Sequence, residues 1–192
     1  MTSAESLRDR KKAATRQALH EVALRHALRE GLDNVTVERI ADEVGVSRRT
    51  FSNYFANKED AILHGERERT RKLLDLLRSR PADEDPWLAL WRSARELNKD
   101  MEPDLAGVEQ FRLLMRHPSL MAKQAADHAA LARELATVLQ ERDPELDHEV
   151  ARLTATVFMT VLRTAGTLWF EQGGKEPIMK VVERALSRVR IG

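Results

Sequence analysis

Between Thr36 and Lys58 the chain reads TVERIADEVGVSRRTFSNYFANK, and four helix-punctuating residues in that stretch leave room only for short helices joined by tight turns. Thr36 carries an oxygen that can accept from the free backbone N–H groups of a helix beginning at Val37. Val37, Ile40, Ala41 and Val44 then recur at helical spacing and supply its buried stripe. Gly45 stands where the chain must turn, and Ser47 caps a third helix that ends near Phe55. Asn57 caps a fourth, with Asp60 in the position of a capping-box acid. In this arrangement Ile40, Val44, Val46, Phe51 and Phe55 share one core, and Arg48, Arg49, Ser52 and Asn53 point outward.

Two short helices in that order, the second carrying exposed arginines, suit the major groove of DNA. Arg48 and Arg49 can pair bidentately with guanine O6 and N7, and each good pair discriminates by roughly 1–3 kcal/mol. Thr50 and Ser52 are short enough to reach a base edge or a thymine methyl. Thr36, Tyr54 and Lys58 lie at helix ends, where phosphate contacts set register without reading sequence.

Charge supports a nucleic-acid module at this end of the chain. Residues 1–58 carry 11 Lys/Arg against 8 Asp/Glu, while the remainder carries 21 against 23. The bases cluster at Arg8, Arg10, Lys11, Lys12 and Arg16, in a basic arm over residues 1–12 and just beyond it. With 42% hydrophobic residues the chain can bury a sizeable core, and few glycines or prolines interrupt it. There is no cysteine, so disulfides, thiolate metal sites and cysteine catalysis are excluded. The first residues have no apolar run of the secretory kind, and no unbroken run of about 18 apolar residues occurs. The expectation is a cytoplasmic protein that engages no membrane and needs no cofactor or metal.

The spacing predicts an all-α fold of about nine helices. The first runs from Ser6 to Glu30, with Gly31 as its cap, and the fourth continues from Asn57 to about Ser79. Arg80–Asp85 is polar and carries a proline. Beyond it, Pro86, Pro103, Pro118, Pro144 and Pro177 each suit a helix beginning, which predicts helices at 86–101, 104–116, 118–142, 145–172 and 177–190. The expected domains are a DNA-binding head at 1–58 and a ligand-binding and dimerisation body at 59–192.

The ordered residues also resemble the TetR family of transcriptional regulators. The matching positions are TV at 36–37, IA at 40–41, GVS at 45–47, Thr50-Phe51, Tyr54-Phe55, Lys58-Glu59 and Ile62-Leu63, within about residues 12–64. The resemblance implies a three-helix DNA-binding head, a fourth helix joining it to a ligand-binding body, and a homodimer on a palindromic operator, most commonly as a repressor. By position it assigns base readout to Arg48, Arg49, Thr50 and Ser52, and phosphate contacts to Thr36, Tyr54 and Lys58. The sequence departs from the family at His26-Ala27, where Leu-Phe is usual. His26 must then be satisfied or partly exposed, and Phe51 and Phe55 are expected to fill the space.

For the body, two apolar stripes compete for one dimer surface. Val150, Leu153, Val157, Val161 and Leu168 form the first, and Ile178, Val181, Val182, Ala185, Leu186 and Val189 the second. A further face carries Thr156, Thr160, Thr164, Thr167 and Gly166. Homodimerisation through these two C-terminal helices is expected, with one stripe left as intramolecular core. Trp91, Phe111, Met115, Met121 and Met159 could line an apolar cavity for a small effector, or simply be core. Arg163 is open to three readings: a structural ion pair, a snorkelling side chain, or an anchor for an anionic head group. No HExxH, phosphate loop or nucleophile elbow supports an enzyme. The alternative to a regulator is a helical adaptor that binds protein alone, which would not need Arg48 and Arg49 on a capped, exposed helix.

Overall fold

The computed structural model describes residues 7–99 and 105–189, with ten α-helices and no strand among them. They are α1 (Leu7–Glu30), α2 (Val37–Val44), α3 (Arg48–Ser52), α4 (Lys58–Ile62), α5 (His64–Arg78), α6 (Pro86–Leu97), α7 (Leu105–Arg116), α8 (Pro118–Arg142), α9 (His148–Glu171) and α10 (Ile178–Leu186). The all-α expectation holds. The expected start at Ser6, the start at 104 and the first six residues of the basic arm lie outside the described residues, whereas α6 and α10 end at Leu97 and Leu186, short of the expected 101 and 190.

Ten helices replace nine because the helix expected from Asn57 to Ser79 breaks at Leu63. A side chain from a distant part of the chain competes for its backbone: His20 Nδ1 donates to the Ala61 carbonyl at 2.8 Å. Gly65 lets α1 come this close, since a Cβ there would meet His20 Nε2 at 3.0 Å. Other boundaries move as well. Asp147 Oδ1 accepts from Glu149 and Val150 N–H groups at 2.8 and 3.1 Å, so α9 starts at His148 rather than 145. Pro86 and Pro118 do open their helices, whereas Pro177 sits just before α10. Helix α3 ends at Ser52, short of Phe55.

Packing divides the chain into two units: residues up to Glu66 together with Leu113–Met121, and Arg67–Arg112 together with the residues from Ala122 onward. The first unit, the head, closes around Leu19, Ala23, Ile40, Phe51 and Ile62, with Leu113, Leu114 and Leu120 in the same core. Phe51 and Phe55 pack ring to ring at 5.8 Å beneath α3. His26 is buried and satisfied at one nitrogen only: its Nε2 donates to Glu43 Oε2 at 2.6 Å, tying α1 to α2, while Nδ1 has no hydrogen-bond partner among the described residues.

The second unit, the body, is built on α9, whose Ala151, Ala155, Phe158 and Ala165 are fully buried and which packs along α10 through Val181, Val182 and Leu186. Trp87 meets Phe158 edge-on at 5.8 Å. Gly174 has φ +65° and is backed by Val108, so any side chain there would be strained and crowded. At the turn before α6, Glu84 is buried between arginines. Arg80 grips it twice at 2.7 Å and Arg92 joins the same carboxylate. The Arg80 hydrogen bonds, opposed by burial and aided by Arg92, hold the Glu84 carboxyl down to about 2. Against the expectation from unbroken runs, α9 is long and apolar enough to cross a membrane, because its Val, Leu, Phe, Met and Ala residues keep mean hydropathy high although threonines and Arg163 interrupt the run. Yet 44% of that window is buried inside the protein and its outer face carries Arg152 and Arg163, as in a core helix of a bundle.

Candidate DNA-binding surface

The head presents α3 through three side-chain caps placed where the sequence reads them. Thr36 Oγ1 accepts from Arg39 N–H at 3.3 Å, Ser47 Oγ from Thr50 N–H at 3.0 Å, and Asn57 Oδ1 from Asp60 N–H at 2.9 Å. Gly45 takes the left-handed conformation, φ 75°, that stops α2. The Val46 N–H then reaches back to the Ala41 carbonyl at 2.9 Å, and the chain can restart as α3 within three residues.

The side chains expected to meet DNA fall into distinct situations. Arg49 is exposed and makes no ion pair among the described residues. Arg48 is exposed too, but its Nη1 lies 2.9 Å from Glu38 Oε1 of α2. Thr50 shares a hydrogen bond with Ser47 Oγ at 2.9 Å, and Ser52 Oγ donates to the Arg48 carbonyl at 3.2 Å. Asn53 is exposed and ends α3. Tyr54 is half-buried, with the Arg16 guanidinium 5.7 Å above its ring. Thr36 is exposed, and its O–H remains a donor after the cap is made. Lys58 differs from expectation: its ammonium donates to the Leu32 and Val35 carbonyls at 2.8 and 3.0 Å, which ties α4 to the loop before α2. One N–H is left for any phosphate.

Other head cations are engaged by acids of the head itself. Arg39 holds Glu30 through two bonds at 2.7 and 3.2 Å, and that hydrogen bonding lowers the Glu30 pKa and raises that of Arg39. Arg25 and His26 share Glu43, whose pKa is lowered chiefly by the His26 hydrogen bond, against some desolvation and with help from Arg25. The free cations gather instead along an open cleft of about 1030 Å³. Arg8, Lys11, Lys12 and Thr15 of α1 line one wall, and Thr50, Asn53 and Tyr54 the other. The cleft therefore runs from the recognition helix onto a basic helix start, a surface suited to a phosphate backbone beside a groove.

The six residues expected at a ligand site are divided between the two units. Met115 and Met121 belong to the head and are 40% and 41% exposed. Trp91, half-buried under Arg95, and Met159, buried, belong to the body core. Phe111 stacks on Phe170 at 5.0 Å and lies against Gly166. Arg163 is exposed on α9 with no ion pair among the described residues. The apolar stripes also sort differently from expectation. Val161 is buried and Val157 half-buried, while Val150, Leu153 and Leu168 share the outer face of α9 with Thr156, Thr160 and Thr164. Residue size and spacing are the same for core and cavity lining, so only packing separates them.

The profile described as "Bacterial regulatory proteins, tetR family" matches residues 19–63. The HTH-type transcriptional regulator TcmR of Streptomyces glaucescens is 31% identical over 96% of this chain and 86% of its own length. This chain belongs to the TetR family. Its fold is shared with the fatty acid degradation regulator FadR from Bacillus halodurans (TM-score 0.59, 21% identity, 90% of this chain and 93% of that one). It is shared also with Thermus thermophilus FadR, a TetR-family transcriptional repressor solved with lauroyl-CoA (TM-score 0.51, 22% identity, 92% and 97%). The protein is thus a DNA-binding transcriptional regulator.

For a TetR-family head, three contributors escape a sequence reading. Arg16 belongs to the basic cluster, but nothing in the spacing says that it stacks on Tyr54. Glu38 is one acid among many until the turn brings it to Arg48. The His26–Glu43 bond is foreshadowed only by the requirement that a buried imidazole find a partner.

Proposed function

We propose that the protein is a repressor that binds a palindromic operator as a homodimer in the cytoplasm and leaves it when a small apolar or amphipathic effector occupies the body. The observation that carries the DNA half is Arg49. It stands exposed on a capped five-residue helix with no ion pair among the described residues, while Arg39, Arg48 and Lys58 are engaged by protein acids or carbonyls. We assign base contacts to Arg48, Arg49, Thr50, Ser52 and Asn53, and backbone contacts to Thr36, Tyr54 and the cleft cations Lys11 and Lys12. Lys58 serves mainly to brace α4. The DNA-binding domain is taken as residues 1–58 and the effector and dimer domain as 59–192.

Support for the homodimer comes from the outer face of α9. Leu153 is 53% exposed there, and Thr160 and Thr167 donate their hydroxyls to the Thr156 and Arg163 carbonyls, which satisfies them within the helix. A face of leucine, valine and threonine suits packing on a second copy. Since α10 spends Val181, Val182 and Leu186 on its own chain, α9 supplies most of the free surface. An effector resembling the acyl-CoA held by the Thermus relative fits a body whose aromatic residues include Trp91 and Phe111, with Met159 in the same core. Two recognition helices about 34–36 Å apart would enter successive major grooves, and an effector that favours a different separation would cost one half-site its contacts.

The test is a gel shift with the protein's own upstream DNA at two salt concentrations, with nonspecific competitor. Retention that survives competitor and weakens with salt is expected. Lys11→Ala with Lys12→Ala should weaken all sequences alike and reduce the salt slope by roughly 2. No retention at any salt would favour a protein-binding adaptor. Native mass spectrometry of the purified protein should reveal a dimer and any apolar molecule carried with it.

A further inference from the structure

We infer that Glu38 is a positioning residue for sequence readout, holding the Arg48 guanidinium by one edge so that its other edge meets a base rather than a phosphate. This rests on the regulator reading above. Glu38 is in the first turn of α2 and Arg48 opens α3, so the tight turn at Gly45 brings two helix beginnings together. The contact is Nη1 to Oε1 at 2.9 Å, between side chains 74% and 53% exposed. A pair so solvated adds little to folding, and α2 is already fastened to α1 through Arg39–Glu30 and through Arg25 and His26 on Glu43. Its effect is therefore on where the guanidinium points.

A guanidinium presents five N–H donors in one rigid plane, and the contact with Glu38 uses Nη1. Nε and Nη2 remain for an acceptor pair such as guanine O6 and N7. The carboxylate also repels phosphate oxygens, so Arg48 gains less than a free arginine from backbone of any sequence. Adjacent Arg49 has no such acid and serves as an internal contrast. The two arginines thus divide between a tethered reader and a free one.

The experiment measures equilibrium binding to a duplex selected by the wild-type protein and to random-sequence duplex, each at two salt concentrations. The proteins are wild type, Glu38→Ala, Glu38→Asp, Arg48→Ala and the double variant Glu38→Ala/Arg48→Ala. Glu38→Ala is expected to lower the ratio of specific to random affinity by about tenfold, mainly by tightening random binding, and to steepen the salt slope by roughly 1. Glu38→Asp should recover part of the ratio, and Glu38→Ala should add nothing once Arg48 is gone. An unchanged ratio in Glu38→Ala, or an equal loss on the Arg48→Ala background, would overturn the assignment; the latter would make Glu38 itself the base contact. If wild type showed no sequence preference at all, the regulator reading would fail first and this assignment with it.

Discussion

Head and body handle their charges in opposite ways. In the head, cations are left at the surface along the α1–α3 cleft, and the acids that bind arginine do so at the rim. In the body, Glu84 is drawn inside with Arg80 and Arg92 around it, and the Arg142 guanidinium donates to the Pro81 carbonyl of the same turn. Desolvation even lowers the Arg142 pKa, against the pull of Glu84. The contrast follows from what each unit must do. A DNA reader displays donors for a partner to complete, whereas a helical body pairs most of its buried charge internally, leaving Arg142 Nε as an exception.

The comparison can be broken first at the head's core. Phe51→Ala removes a fully buried ring under α3 and should cost about 3–5 kcal/mol. Hydrogen exchange should show the head losing protection while α9 keeps it; equal loss in both would mean that the units are one cooperative body. Next in size is Glu84→Gln. The depressed carboxyl contributes on the order of 2–3 kcal/mol to the body, and the variant leaves Arg80 and Arg92 close together without the charge that joins them. Thermal unfolding should shift down, and DNA affinity of the folded protein should not change. For wild type, this contribution is present above 4.5 and is lost as pH falls from there through about 2.

The smallest effect expected is at the His26–Glu43 bond. Glu43 is held below its ordinary value of 4.5, so its contribution to the head is complete above that pH and disappears as pH falls through the lower folded value. His26→Gln should flatten this acid limb in a pH series of head unfolding. A limb of unchanged depth would show that Arg25 alone holds Glu43.

The same contrast explains what could be read from sequence. Caps at Thr36, Ser47 and Asn57 act on N–H groups three residues away, so local chemistry locates α2, α3 and α4 and hence the exposed face of α3. The break after α4 is not local: its donor, His20, lies 41 residues from Ala61 in sequence. Lys58 looks like a phosphate ligand because its role at Leu32 and Val35 also depends on distant backbone. In the body, Met115, Met121 and Met159 are chemically alike, and only tertiary packing leaves the first two exposed and buries the third. By spacing Val161 joins Val150, Leu153 and Leu168 in one stripe, but α9 buries it in the core that holds Phe158 and Ala165.

The most direct measurement of the central claim is selection from a randomised duplex library by wild type and by Arg49→Ala. Wild type should enrich two inverted half-sites about one helical turn apart. Arg49→Ala should remain dimeric and folded, lose preference at one symmetry-related base pair in each half-site, and bind its best duplex roughly 10–100-fold more weakly. An Arg49→Ala protein that enriches the same motif with the same affinity would contradict the assignment of α3 as the reader.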